Sequence, residues 1–188
     1  RDGSDVWRAD KAVRLLSAGG CGVIPTDTSY SFVTPVSSRE GIERILRIKG
    51  AESSKKPLSL LCPDLATIDK YTYGIDKQLF KMLKKNLPGP YTFILPASSD
   101  LPKMIYQDGK KKWKRSEIGV RIPDDPICQA IVEQIGEPLL CSSVAPDIDP
   151  DNDSDPAFLL CSAMEGDTWC KKVDFVIDGG ERPFDGST

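Results

Sequence analysis

Histidine is absent from this 188-residue chain, and that absence removes much of the common catalytic apparatus. Ser-His and Cys-His triads, imidazole general bases and histidine-ligated zinc sites are all excluded. The six cysteines (Cys21, Cys62, Cys128, Cys141, Cys161 and Cys170) show no Cys-x-x-Cys spacing, so zinc ribbons and thioredoxin-type redox motifs are excluded as well. Most of them stand beside Leu or Ile, as small core residues do in a reducing compartment. That points to a cytoplasmic or organellar protein and away from a secreted disulfide scaffold. No apolar run approaches the roughly 20 residues that span a bilayer, so no membrane partner is expected. There is no signal-type apolar block, and the chain opens at Arg1 without a methionine; it reads as a processed or excised piece. A large charge of one sign is lacking too. At a net charge of −3 the chain is no polycation, and any RNA or nucleotide contact must come from a local patch.

What is present is 39% hydrophobic content in regularly spaced clusters, enough for the core of one domain spanning residues 1–188. The elements alternate in the α/β manner. A helix over about 8–18 stops at Gly19-Gly20, strand 21–24 follows, and a second strand covers 30–34. Ser37 with Glu40 forms a capping box for a helix whose apolar stripe is Ile42, Ile45, Leu46 and Ile48. A polar loop over 49–56 then leads to strand 57–62. Helices over 65–71 and 76–86 precede Pro88-Gly89-Pro90 and strand 91–95. After a basic loop, 110–115, comes strand 118–122. Asp125 as N-cap with Pro126 at the first helical position starts a helix that ends at Gly136. Strand 138–141 runs into Ser142-Ser143, and an Asp-rich loop leads to a short helix and a last strand, 173–177.

The polar residues collect where these strands end, and ligands of α/β proteins bind in the crevice beyond strand ends. Pro25-Thr26-Asp27-Thr28-Ser29-Tyr30 places hydroxyls and one carboxylate at such an exit. The plain alternative is a loop whose Thr and Asp only satisfy the backbone. Lys49 and the Lys55-Lys56-Pro57 step, then Pro88-Gly89-Pro90-Tyr91-Thr92, then Val120-Arg121-Ile122-Pro123 with Ser142-Ser143, supply three further groups. Arg121 must point away from both of its neighbours on a strand. If Val120 and Ile122 are buried on one face, its guanidinium faces the other.

Taken in order, these segments resemble the YrdC/YciO family, closer to its YciO branch: Pro-Thr-Asp-Thr-x-Tyr, Lys with Lys-Pro-Leu, Pro-Gly-x-Tyr-Thr-x-x-Leu, Gly-Val-Arg-Ile-Pro-Asp-x-Pro, and Ser-Ser. The likeness covers nearly the whole chain and breaks off at Ser187-Thr188, as if the C-terminus were truncated. It implies a YrdC/RibB-like fold, a twisted, open, mixed β-sheet flanked by helices, with a concave ligand-binding face. It also implies the chemistry of threonylcarbamoyl-adenylate synthases. Those enzymes combine threonine, bicarbonate and ATP, release pyrophosphate, and feed threonylcarbamoyladenosine formation in tRNA. Other members are described as binding double-stranded RNA on the concave surface, which is the alternative, non-catalytic expectation. On the resemblance Lys49 is the catalytic lysine, facing the carboxylate or phosphates. Thr26, Thr28 and Tyr30 line the threonine end, and Ser142 contacts either part. Lys56, Thr92, Arg121 and Ser143 hold the nucleotide, with Ser187 and Thr188 at the last phosphate-facing step. Mg²⁺ would shield the leaving pyrophosphate. No histidine is needed for a reaction that mainly positions and neutralises charge.

Two departures weaken the synthase pattern. Lys-x-Arg reads Lys49-Gly50-Ala51, and Ser-x-Asn reads Ser143-Val144-Ala145. Losing a charged donor is worth roughly 1.5–3 kcal/mol in ordinary contacts. The run Lys110-Lys111-Lys112-Trp113-Lys114-Arg115 would suit RNA phosphates with Trp113 stacking, or a solvated loop equally well. Asp147, Asp149, Asp151, Asp153 and Asp155 alternate like a calcium loop, but Ser154 stands where the turn glycine belongs and Leu160 where the closing glutamate belongs. The better reading is a soluble acidic loop, and no metal site is expected.

Overall fold

The structure is a computed structural model that describes residues 9–50, 57–102, 105, 107–108, 111–112, 116–144, 157–158 and 169–183. Lys56, Ser187, Thr188, Ala51, Ala145, the acidic loop and most of the basic loop lie outside them.

Local signals set the helices. The first, α1 (Asp10–Ser17), is shorter than the pattern predicts, because Ala9 provides no side-chain cap. In α2 (Arg39–Lys49) the N-cap is Ser38, whose Oγ accepts from Gly41 N at 3.1 Å. The predicted capping box on Ser37 is therefore displaced by one residue. Ser37 instead donates to Glu137, Oγ to Oε1 at 2.8 Å. The helices α3 (Leu65–Tyr71), α4 (Lys77–Asn86) and α5 (Pro126–Ile135) are each capped by an aspartate, Asp64, Asp76 and Asp125. At the far end of α5, Gly136 takes the left-handed φ of 74° that closes the helix.

The strands β1 (Gly22–Pro25), β2 (Tyr30–Pro35), β3 (Ser59–Leu61), β4 (Phe93–Pro96), β7 (Glu117–Arg121), β8 (Leu139–Ser143) and β10 (Phe175–Val176) form one mixed sheet. Two small ribbons pair β5 (Gln107–Asp108) with β6 (Lys111–Lys112) and β9 (Ala157–Phe158) with β11 (Arg182–Pro183). The large sheet is ordered β10-β1-β2-β8-β3-β7-β4. Its β1·β10 and β3·β7 pairs are parallel and the rest antiparallel. Among the described residues this is a seven-stranded open sheet with five α-helices, as the sequence implied. The strand β4 begins two residues later than the sequence suggests, since the Pro88–Pro90 step is held by Gly89 N donating to Ile122 O at 2.9 Å. Part of the basic run is paired backbone in β6 and not an open loop.

Alternation sorts the strand residues into two apolar layers. Val23, Tyr30, Phe32, Leu60, Val120 and Leu140 pack with Ile42 and Ile45 of α2, Ile68 of α3 and Leu83 of α4. Ile24, Val33, Leu61, Leu139 and Cys141 face the other way, onto Leu16 of α1 and Cys128, Ile131 and Val132 of α5. Burial on both faces explains the near-continuous apolar runs of these strands. On the second face α1 and α5 lie over β10, β1 and β2. The part of that face formed by β3, β7 and β4 carries Ser59, Gly119 and Ile94 in register, and Ile94 is 70% exposed. Among the described residues one half of the face is thus roofed by helices, while beyond the buried Leu61 the other presents Ser59, Gly119 and the exposed Ile94. Among the described residues no helix is long and apolar enough to cross a membrane.

Candidate functional site

On that half-face β7 ends at Arg121, which is itself buried. Val120 and Ile122 belong to the first apolar layer, so Arg121 emerges on the second face, beside the turn that joins β1 to β2. There its Nη2 donates to Thr28 Oγ1 at 3.2 Å and pairs with the Asp27 carboxylate. Asp27 in turn accepts from Asp124 N at 2.9 Å. The turn is rigid for a local reason. Thr26 Oγ1 donates to Ser29 O at 2.8 Å, and Thr26 N donates to the same carbonyl at 2.7 Å, an ST-type closure that a threonine hydroxyl makes readily.

A second positive charge reaches the same region from the end of α2. Burial pushes the Cys141 thiol up to about 11, and the charges of Arg121 and Lys49 both pull against that rise. Cys141 on β8 therefore lies within electrostatic range of both cations. Ser143, two residues on and exposed, shares the face of Cys141 and pairs in register with Ser31. The floor is kept flat at Gly119. A Cβ there would meet Ser59 Oγ at 2.6 Å and Thr92 Cγ2 at 2.9 Å, which also fixes Thr92 against the floor. Arg121 and Thr28 meet directly, Thr92 stands against the Gly119 floor, and Ser143 lies on the face of Cys141.

Three expected ligand residues do not join that group. Thr26 is fully buried and its hydroxyl is spent inside the turn. Tyr30 packs in the first apolar layer, with Oη accepting from Gly179 N at 3.0 Å and bonded to Asp178 and the Gly180 carbonyl. Burial first, and Asp178 second, raise its phenol to about 12. Ser142 is in register with Phe32, on the face opposite Cys141 and Ser143. Adjacent residues of one strand cannot share a face, and for Ser142 and Ser143 this decides which one shares the face of Cys141.

Asp27 and Arg182 are the residues that sequence reasoning missed. Asp27 was visible as the one carboxylate of the turn, but nothing local showed that it pairs with Arg121. Arg182 carried no signal. In the fold its Nη2 lies 3.1 Å from Asp125 Oδ2, the carboxylate that caps α5 through its other oxygen. The Arg182 guanidinium also flanks Gly179, which packs on Pro25. Two guanidinium–carboxylate pairs, Arg121–Asp27 and Arg182–Asp125, therefore stand beside the 25–30 turn. Among the described residues the buried polar side-chain atoms without a hydrogen-bond partner are Ser29 Oγ, Arg121 Nε and Arg182 Nε. All three border the 25–30 turn. Buried donors without acceptors are rare in native proteins, and oxyanions are the ligands that guanidinium N–H groups satisfy best.

A mixed, open, seven-stranded sheet with five helices among the described residues defines an α/β protein. The chain belongs to the Sua5/YciO/YrdC family: the family model Sua5_yciO_yrdC, described as "Telomere recombination", matches residues 14–188. It is similar to YciO of Escherichia coli K12, with 34% identity over 171 residues, 91% of this chain and 77% of YciO. The crystal structure of that bacterium's YciO superposes with a TM-score of 0.74 at 32% identity, over 95% of this chain and 82% of that one. Threonylcarbamoyl-AMP synthase of Bos taurus is 31% identical over 169 residues, 90% of this chain but only 55% of the synthase. The chain spans about half the length of that relative. Sua5 of P. abyssi, crystallised with L-threonine, shares the fold at a TM-score of 0.75 and 21% identity, over 94% of this chain and 48% of that one.

Proposed function

We infer that this chain binds ATP and threonine beside the 25–30 turn, as a threonylcarbamoyl-AMP synthase-type domain with an attenuated transfer step. The observation that carries this reading is the clustering of Arg121 Nε and Ser29 Oγ, buried and without partners among the described residues, around the turn that also holds Thr28. A phosphate or carboxylate oxygen supplies the missing acceptors. The kinship to threonylcarbamoyl-AMP synthases narrows the ligands to a nucleotide and an amino acid.

In the reaction so assigned, bicarbonate carboxylates the threonine amine with loss of water. A carbamate oxygen then attacks the α-phosphorus, and pyrophosphate leaves with the electrons of the broken P–O bond. Lys49 and Arg121 balance the negative charge, and the Thr28, Thr92 and Ser143 hydroxyls orient oxygens. Among the described residues no group of acidic or cysteine side chains is placed to hold a metal ion. Mg²⁺ in this reading arrives as the counter-ion of the ATP phosphates. The side chains of Ala51 and Ala145 donate nothing, so transition-state stabilisation falls more than ground-state binding.

Titration calorimetry with ATP and with threonine, beside a pyrophosphate-release assay containing both and bicarbonate, tests the reading. Binding of both ligands is expected, with slow release above the blank. Binding without any release at millimolar substrate would leave a binding domain and remove the enzyme. No heat with either ligand would remove the reading altogether.

A further inference from the structure

We propose that Arg182 is a second oxyanion-binding guanidinium of that site, delivered to it by the C-terminal segment. The inference deepens the proposed function and rests on it. Arg182 reaches the turn through packing that is specific at each step. The segment before it is held by Tyr30, whose Oη accepts from Gly179 N and bonds the carbonyl of Gly180. Asp178 Oδ1 accepts from Gly180 N at 2.8 Å, which tightens the bend, and Gly180 takes a positive φ of 80°. At Gly179 a Cβ would lie 2.7 Å from Arg182 Nη2 and 2.9 Å from Pro25, so that position has room only for hydrogen and the guanidinium lies against the 25–30 turn.

Once there, Arg182 is only half used. Its Nη2 pairs with Asp125 at 3.1 Å, while its Nε is buried and without a partner among the described residues. A guanidinium offers five N–H groups in a planar fork suited to two acceptors side by side. Asp125 Oδ2 engages one of them, and its Oδ1 is committed to Cys128 N. Arg121 repeats the same state beside the same turn: Nη2 engaged by a carboxylate, Nε without an acceptor among the described residues. The two are linked through Asp27, Asp124 N and Asp125. A purely structural staple would need the Asp125 pair and nothing more. Two arginines beside one turn, each with Nη2 engaged by an aspartate and Nε lacking an acceptor among the described residues, offer N–H groups to a multivalent oxyanion.

The test uses the 188-residue chain with Arg182→Gln and Arg182→Lys. Affinities for ATP, inorganic tripolyphosphate and threonine are measured by calorimetry, and folding by thermal melts. Arg182→Gln is expected to weaken ATP and tripolyphosphate about 10-fold, with Arg182→Lys intermediate, because lysine keeps the charge but not the fork. Loss confined to threonine would support an Arg182 contact to the carboxylate instead of phosphate. A lowered melting temperature with all three affinities unchanged, in both variants, would reduce Arg182 to a staple and overturn the proposal while leaving the ATP and threonine reading intact. If the unaltered chain binds none of the three, the parent reading fails first.

Discussion

At Arg121 a guanidinium with 4% of its side chain exposed is held against Asp27, whose own side chain is 8% exposed. Taking either charge away strands the other in a poorly hydrated place, and breaking such a pair typically costs about 3–5 kcal/mol. Arg121→Gln should therefore lower stability by about that much in urea denaturation. Arg121→Gln combined with Asp27→Asn should recover part of the loss, since no lone charge remains. Equal stabilities of the single and double variants would show that the pair is not coupled. The same residues show the limits of sequence reasoning at this scale. Strand alternation alone predicts that Arg121 turns away from Val120 and Ile122. It says nothing of Asp27, which lies 94 positions earlier in the chain.

Between elements, the analogous contact is the clamp of α2 onto the start of β10. Arg44 donates to both oxygens of Asp174, at 2.7 and 3.0 Å, and Cys21 N donates to Oδ2 at 2.8 Å. The Arg44 hydrogen bonds, offset in part by burial, hold the Asp174 carboxyl below its ordinary value of 3.8. A carboxylate depressed on folding contributes stability above its unfolded pKa and loses it as pH falls through the folded one. That contribution should be complete above about pH 4 and fade below it. Asp174→Asn should cost about 1–2 kcal/mol at neutral pH, the clamp being partly exposed, and should flatten the acid limb of the stability curve. Urea midpoints measured from pH 2 to 7 check both. Element boundaries were legible where a cap is unambiguous, as at Asp125-Pro126 and Gly136. They slipped by a residue where two serines compete: Ser38 captures Gly41 N while Ser37 is drawn to Glu137.

At the scale of the whole molecule, four of the five cysteines among the described residues behave as core. Cys21, Cys62, Cys128, Cys141 and Cys170 are free thiols. Burial raises the first four, Cys21 to about 12 and Cys141 to about 11. The thiolate is the reactive form, so these four should resist a thiol reagent at neutral pH in the native chain. They should react together, at the rate of global opening, once denaturant is added. Rapid labelling of any of them without unfolding would contradict the packing described.

What the amino-acid sequence determined by itself was the main strands and α-helices, though not the two small ribbons, together with the alternation that makes an α/β sheet and the strand ends at which polar residues collect. Those follow from short-range physics: hydrophobic period, caps and turn residues act within a few positions. The strand order, the side of the sheet on which α1 and α5 lie, and the separation of Ser143 from Ser142 and of Arg121 from Tyr30 were decided only by tertiary structure. Register and face are properties of pairs of distant strands, and a one-residue shift turns every side chain to the opposite side. For the same reason the half-satisfied edges of Arg121 and Arg182 came into view only when segments far apart in the chain were packed around one turn.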